Sequence, residues 1–161
     1  NRSVILLSEH TDSGSIGVIL NKPSEYKLID LVAELTCDFD VFYGGPVEQD
    51  NLYFIHKIPH LLPDSIQISE TIYWGGNFKV LTNLLLENKL STDDIKFFLG
   101  YSGWSNDQLN EELEINSWIV VENTYKNILT VDIKEVWKNN MIKLGGEYLI
   151  WANAPKDPIL N

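Results

Sequence analysis

Basic residues are scarce in this chain. Arg2 is its single arginine, and Lys and Arg total 12 against 23 Asp and Glu across 161 residues, a formal net charge of −11. Neutralising a phosphate backbone takes clustered Lys and Arg, so this balance argues against direct nucleic-acid binding. The nearest basic cluster, Lys134, Lys138 and Lys143, is broken by Glu135 and reads as a solvated helix face. The one cysteine, Cys37, excludes an internal disulfide framework and reads as a small apolar residue rather than a nucleophile. Long apolar runs are missing too: residues 4–7 and 80–86 are core-sized, far short of the roughly 18 residues of a membrane span. Walker A, C-x-x-C and H-E-x-x-H patterns are absent. The two near-matches to a nucleophile elbow fail, 13–17 at its first glycine and 100–104 at its last, and Ser102 has no identifiable base.

What is present is the composition of an ordinary globule, 44% apolar and 22% charged, long enough to bury a core without a staple. No repeat, linker or low-complexity segment divides residues 1–161, so they read as one domain. Strands are predicted over 2–8, 16–21, 40–43, 51–56, 66–68, 71–74, 95–99, 117–122, 128–131 and 148–151. Residues 9–15 read as a polar loop between the first two. Helices are predicted over 28–35, over 78–87 behind the N-cap Asn77, after Ser105, and over about 133–144. Ser105 and Gln108 form the spacing of a capping box, with Trp104 and Leu109 as its hydrophobic staple. Asp132 with Glu135, and Val131 with Val136, repeat the device. Short turns between strands demand antiparallel pairing, and the intervening helices break any regular βαβ alternation. The fold class is therefore α+β with a mixed, mainly antiparallel sheet.

The candidate chemistry is thin. His56 and His60 have metal-pair spacing, but Pro59 opposes the helix that would align them. His10 beside Glu9 has the ionisation range of an acid–base group. Gly75-Gly76 before Asn77, and Gly44-Gly45 before Pro46, read as turns. No metal, cofactor or catalytic set follows. The densest pattern is Gly100-Tyr101-Ser102-Gly103-Trp104, read as a strand-to-helix turn whose aromatics are candidate interface anchors. The candidate binding surface is Gly100 to Trp104 with Gly44, Gly45, Gly75, Gly76 and His10.

These segments together resemble the YqgE/AlgH family of small bacterial proteins. The matching pieces are Arg2-Ser3-Val4, Glu9-His10, Gly17 to Pro23, Gly44 to Val47, Leu52 with His56, Gly75 to Phe78, and Phe98 to Trp104 with Gln108-Leu109 and Glu112-Leu113. Trp118, Trp137 and Leu144-Gly145 complete the set. The resemblance implies a single α+β domain with a curled, barrel-like sheet flanked by about four helices. It also implies a cytoplasmic protein and, from a label some members carry, a transcriptional regulator. It supplies no catalytic residues, so the expected role is non-catalytic regulation through a protein partner. The alternative is an enzyme or small-ligand binder built on the glycine turns. Family members usually carry residues ahead of the Arg2-Ser3-Val4 match, including an apolar strand-like segment, so an N-terminal segment and a strand partner are expected to be missing here. Asn77 stands where many relatives have Asp; both cap helices.

Overall fold

The computed structural model describes residues 2–156. The strands are β1 (Ile5–Thr11), β2 (Gly14–Ile19), β3 (Pro23–Lys27), β4 (Asp40–Tyr43), β5 (Val47–His56), β6 (Ile66–Gln67), β7 (Tyr73–Trp74) and β8 (Ile95–Ser105). The helices are α1 (Leu28–Leu31), α2 (Phe78–Leu86), α3 (Gln108–Glu114), α4 (Val136–Leu144) and α5 (Tyr148–Asn153), with a 3₁₀ turn at Ile128–Thr130. The sheet is ordered β1-β2-β8-β5-β7-β6, with β3 and β4 branching from β8. Every pairing is antiparallel except β4 with β8. The result is the expected α+β fold, a curled half-barrel.

β8 is the hub, and its sequence explains why. Alternate side chains of a strand point to opposite faces. Phe97 and Leu99 enter one core with Phe39, Phe54, Leu81 and Leu85. Phe98 enters the other with Val18, Phe42, Ile55, Ile128 and Leu129. Phe97 and Phe98 are both fully buried, as expected for an apolar run covered on two sides.

β8 does not stop at Leu99. It continues through Gly100–Trp104 to Ser105, so the expected strand-to-helix turn is instead the second half of a long strand. Along one side its neighbour changes from β4, paired at Phe97–Leu99, to β2, paired at Ser102–Ser105. The change falls at Gly100, which has φ +66°, a left-handed conformation nearly free to glycine and costly to other residues. Gly44 ends β4 at the same point: its N–H donates to Leu99 O at 2.8 Å, and its carbonyl accepts from Ile19 N at 2.9 Å. A Cβ on Gly44 would lie 2.2 Å from Gly100 O, and one on Gly45 2.2 Å from Tyr101 C. The glycines are there because two backbones cross with no room for a side chain.

Other expectations shift for local reasons. The loop predicted over 9–15 is a tight hairpin: Glu9, His10 and Thr11 stay in register with Ile16, Ser15 and Gly14, leaving only Asp12-Ser13 as the turn. Pro23 starts β3, since a first strand position tolerates the missing N–H. α1 is one turn long rather than eight residues. Asn77 caps α2 as expected, accepting from Val80 N at 3.0 Å. Ser105 does not cap α3, because it is still paired to Gly14 in the ladder. Asp107 takes the N-cap position, and only the Gln108 half of the box survives, accepting Ser105 N at 3.0 Å. α4 begins at Val136, with Asp132 Oδ1 bonding Lys134 N and Glu135 N in the turn ahead of it. The strand expected at 148–151 is helix α5, and that at 128–131 is the 3₁₀ turn. Residues 117–122, expected as a strand, belong to none.

Candidate functional site

The sequence candidates separate into two structural groups and one surface. Gly44 and Gly45 come together with Gly100–Ser102 at the backbone crossing. There the Ser102 hydroxyl, on a buried residue, donates to Gly44 O at 3.0 Å. Gly75 and Gly76 lie elsewhere, beside His56. His56 is fully buried; its Nε2 lies 2.8 Å from Gly75 O, and its Nδ1 accepts from Ile58 N at 3.1 Å. Burial holds its pKa below the ordinary histidine value. With both ring nitrogens committed, it is a neutral structural histidine, whereas His60 is exposed. Cys37 packs half-buried against the first core, and burial pushes its thiol pKa up. His10, His56 and Ser102 each bond a different partner, and none bonds another.

Trp104 does not project as an interface anchor; it is 9% exposed. Its indole N–H donates to Glu112 Oε2 at 3.0 Å, and that of Trp118 donates to the same oxygen at 2.6 Å. Gln108 Nε2 donates to Glu112 Oε1 at 3.0 Å, and the two indoles meet edge to face at 5.9 Å. This carboxylate ties β8, α3 and the segment after it into one wall. The Trp118 and Trp104 bonds, with a smaller one from Gln108, outweigh desolvation and hold Glu112 below the ordinary carboxylate range. A lowered carboxylate pKa contributes stability above the ordinary value and loses it as pH falls through the lowered one. The indole environment should therefore hold at neutral pH and loosen only in acid below the ordinary carboxylate range. Glu112→Ala should loosen it at pH 7, at a cost of about 1 kcal/mol because solvent reaches the site. Tryptophan fluorescence and urea midpoints measured across pH check both.

The surface is what this wall faces. A groove of about 900 Å³ runs between Ser3, Val4 and the β1 residues Ile5–Leu7 and His10 on one side and the stretch Asn116–Val121 on the other. Trp104, Leu109, Leu113 and Trp118 contribute to its lining, as do Trp137, Met141, Tyr148 and Trp151. Its lining is mostly apolar and contains no Lys or Arg. Several lining residues are open to solvent, including Leu7, Val120 at 75% and Trp151 at 61%. A smaller hollow of about 350 Å³ lies against Tyr101, Gly103, Val47 and Thr11, where the Tyr101 ring rests edge-on against Tyr53.

β1 is the terminal strand of its sheet, and no described strand pairs its outer edge. Ile19, opposite Ile5, sends its N–H away from β1 to Gly44 O, while Leu20 N donates to Val4 O at 2.8 Å. In an antiparallel ladder bonded and non-bonded pairs alternate. Val4 and Leu6 therefore bond inward, and the N–H and C=O of Ile5 point out into the groove. Asn21 extends the pairing at the entrance, accepting Val4 N and donating to Arg2 O, each at 2.9 Å.

Of the sequence candidates, His10 and Trp104 line this groove. Ser15, buried between them, pairs with both strands and lies 2.7 Å from His10 Nδ1. Trp151, Tyr148 and Ile119–Val121 escaped sequence reading as site residues. The available signal was an apolar extended segment with no evident strand partner.

The family profile described as AlgH-like matches residues 1–149. This chain belongs to the AlgH-like family. A UPF0301 protein of Cytophaga hutchinsonii is 42% identical over 99% of this chain and 89% of its own length. One from Parabacteroides distasonis is 40% identical over 99% of this chain and 82% of its own. Among solved structures, the AlgH protein of Pseudomonas aeruginosa superimposes with TM-score 0.74 at 20% identity, covering 96% of this chain and 85% of its own. A Corynebacterium diphtheriae protein gives 0.70 at 18%, covering 94% and 82%. At those identities the AlgH-like structures establish the fold alone. No described helix is long and apolar enough to cross a membrane, and the described residues contain no metal-holding cluster of three or more His, Cys, Asp or Glu.

Proposed function

We propose that this protein is a cytoplasmic, non-catalytic regulatory module that binds a partner protein. It takes an extended apolar segment of that partner as an additional strand on the outer edge of β1. The supporting observation is the coincidence of two features. Unpaired backbone groups of an edge strand can hydrogen-bond an added strand, and they open here into an apolar groove that would receive alternate side chains of that strand. From Val4 to His10 the edge is about 20 Å long at a strand's rise per residue, room for about six residues.

The test is titration of a six-residue alternating apolar peptide, followed by the fluorescence of the groove tryptophans. Binding is expected with a dissociation constant on the order of 10 μM, modest because the peptide must be ordered. Methylating the peptide's backbone nitrogens should abolish it. Val120→Lys, at an exposed wall position, should weaken it at least about tenfold with little change in stability. Equal binding of the methylated peptide would overturn the reading. So would a version of the chain extended upstream of Asn1 that binds no peptide because its own added residues occupy the edge.

A further inference from the structure

The groove has two unpaired backbone rails, not one. Its wall opposite β1 contains Trp118-Ile119-Val120-Val121, aromatic and β-branched residues with the composition of a strand. Ser117 N still donates to Glu112 O at 2.8 Å as α3 ends. From Trp118 to Thr124, however, no backbone N–H or C=O has a hydrogen-bond partner among the described residues. The stretch is mostly exposed, so water satisfies these groups in the free protein. Side chains nevertheless pin it at both ends. The Trp118 indole is bonded to Glu112, the Tyr125 hydroxyl donates to Asn140 Oδ1 at 2.9 Å, and Lys143 Nζ lies over the Tyr125 ring at 4.4 Å. The backbone between is therefore positioned but unused, which reduces what binding must still order.

On the other rail Ile5, and by the same alternation Leu7, turn N–H and C=O outward. Two such rails flanking one apolar groove fit a strand bonded along both of its edges. Every described strand of this chain is already paired along at least one edge, so no described strand of a second copy can enter with both edges free. The exposed surface is also large, 10037 Å² against about 8,200 Å² for a compact monomer of 18.4 kDa. The excess is larger than the roughly 800 Å² that each partner of a standard complex covers. We infer that the partner's segment is inserted rather than merely added: it bonds β1 along one edge and residues 118–124 along the other, joining both to one sheet. Such a segment has no strand neighbours of its own before binding, as in a chain terminus or a linker. It is also free of proline throughout, because the N–H groups of both edges are used. This rests on the strand-addition reading of the same groove.

Alternate residues of a strand direct their N–H groups to opposite edges. The experiment therefore compares the six-residue alternating apolar peptide with two ester-containing versions of it. One has esters in place of the amides of its odd residues, the other in place of those of its even residues; an ester deletes the donor without adding bulk. By groove tryptophan fluorescence, each version should bind at least about tenfold more weakly than the parent peptide, since each loses up to three hydrogen bonds. In the parent complex, alternate amides from Trp118 to Thr124 should exchange at least about tenfold more slowly than in the free protein, alongside Ile5. One ester version binding like the parent, or exchange from Trp118 to Thr124 unchanged while Ile5 slows, would overturn insertion and leave strand addition standing. Parent-like binding by both versions, or no binding by the parent peptide, would overturn both.

Discussion

Gly100→Ala should be among the most damaging single substitutions in this chain, costing about 3–5 kcal/mol through forced left-handed backbone and overpacking. The new Cβ would lie 2.6 Å from both Gly45 O and Val47 O, at a φ of +66°. Neither oxygen ends a flexible side chain; both belong to the backbone that meets β8 where it changes neighbours. Relief would require separating the two strands, and with them the inward bond of Ser102 to Gly44. Gly45→Ala should behave similarly, since its Cβ would fall among the backbone atoms of Tyr101 and Ser102. Gly103→Ala is the matched control. There the nearest atom is a Tyr101 ring carbon at 3.4 Å, and the cost should stay within about 1 kcal/mol. Urea unfolding of the three variants checks the ranking; a Gly100→Ala protein as stable as Gly103→Ala would remove the crossing from the account.

Lys96→Met should stabilise the protein at neutral pH. Lys96 is 5% exposed, and its amine sits 4.0 Å from the centre of the Phe42 ring. Burial lowers its pKa from 10.5 to about 8, against a smaller opposing pull from Asp40. Below the folded value both states carry the charge, and the folded one bears the full desolvation penalty. Between about 8 and 10.5 the folded protein has released a proton that the unfolded chain still holds, so stability climbs with pH through that window. Above it both states are neutral and the gain is complete. Met keeps the volume and removes the charge, so about 1–3 kcal/mol should be recovered at pH 7. The recovered amount should shrink as pH rises past 8. Urea midpoints of both proteins at pH 7 and pH 9 measure this, and a destabilised Lys96→Met protein would show that the amine contributes more than it costs.

Much of the fold was legible because it follows local rules. The apolar run 95–99, the Asn77 cap, the strand 40–43 and the α+β class are all decided within a few residues by pattern and capping. The errors share one physical origin: hydrogen-bond partners far away in sequence. Gly100 to Trp104 has the glycines of a turn, yet it continues a strand because β2 and β5 are waiting on both sides. Tyr148–Trp151 has the composition of a strand and forms a helix where no ladder is offered. Residues 117–122 read as a strand and contain the apolar wall of the groove, extended in preference but with no described neighbour to pair with.

The candidate site was less legible for the same reason. The densest pattern in the sequence marks a backbone crossing and a Trp-carboxylate tie, both serving the fold. The surface that remains is lined from β1 and the residues just before it, β8, α3, 116–121, α4 and α5, and only tertiary structure sets them around one groove. His10 was placed in a loop by its polar neighbours, whereas a two-residue turn keeps it on the edge strand.

The central claim is that β1's outer edge is an acceptor for a partner's strand, and amide hydrogen exchange at Ile5 and Leu6 tests it most directly. In the free protein Leu6, bonded inward toward Val18, should be protected, and Ile5, pointing outward, should exchange freely. Saturating with the six-residue alternating apolar peptide should slow Ile5 at least about tenfold and leave Leu6 nearly unchanged. An Ile5 amide already as protected as Leu6 without peptide, or one that stays fast in the saturated complex, would contradict it.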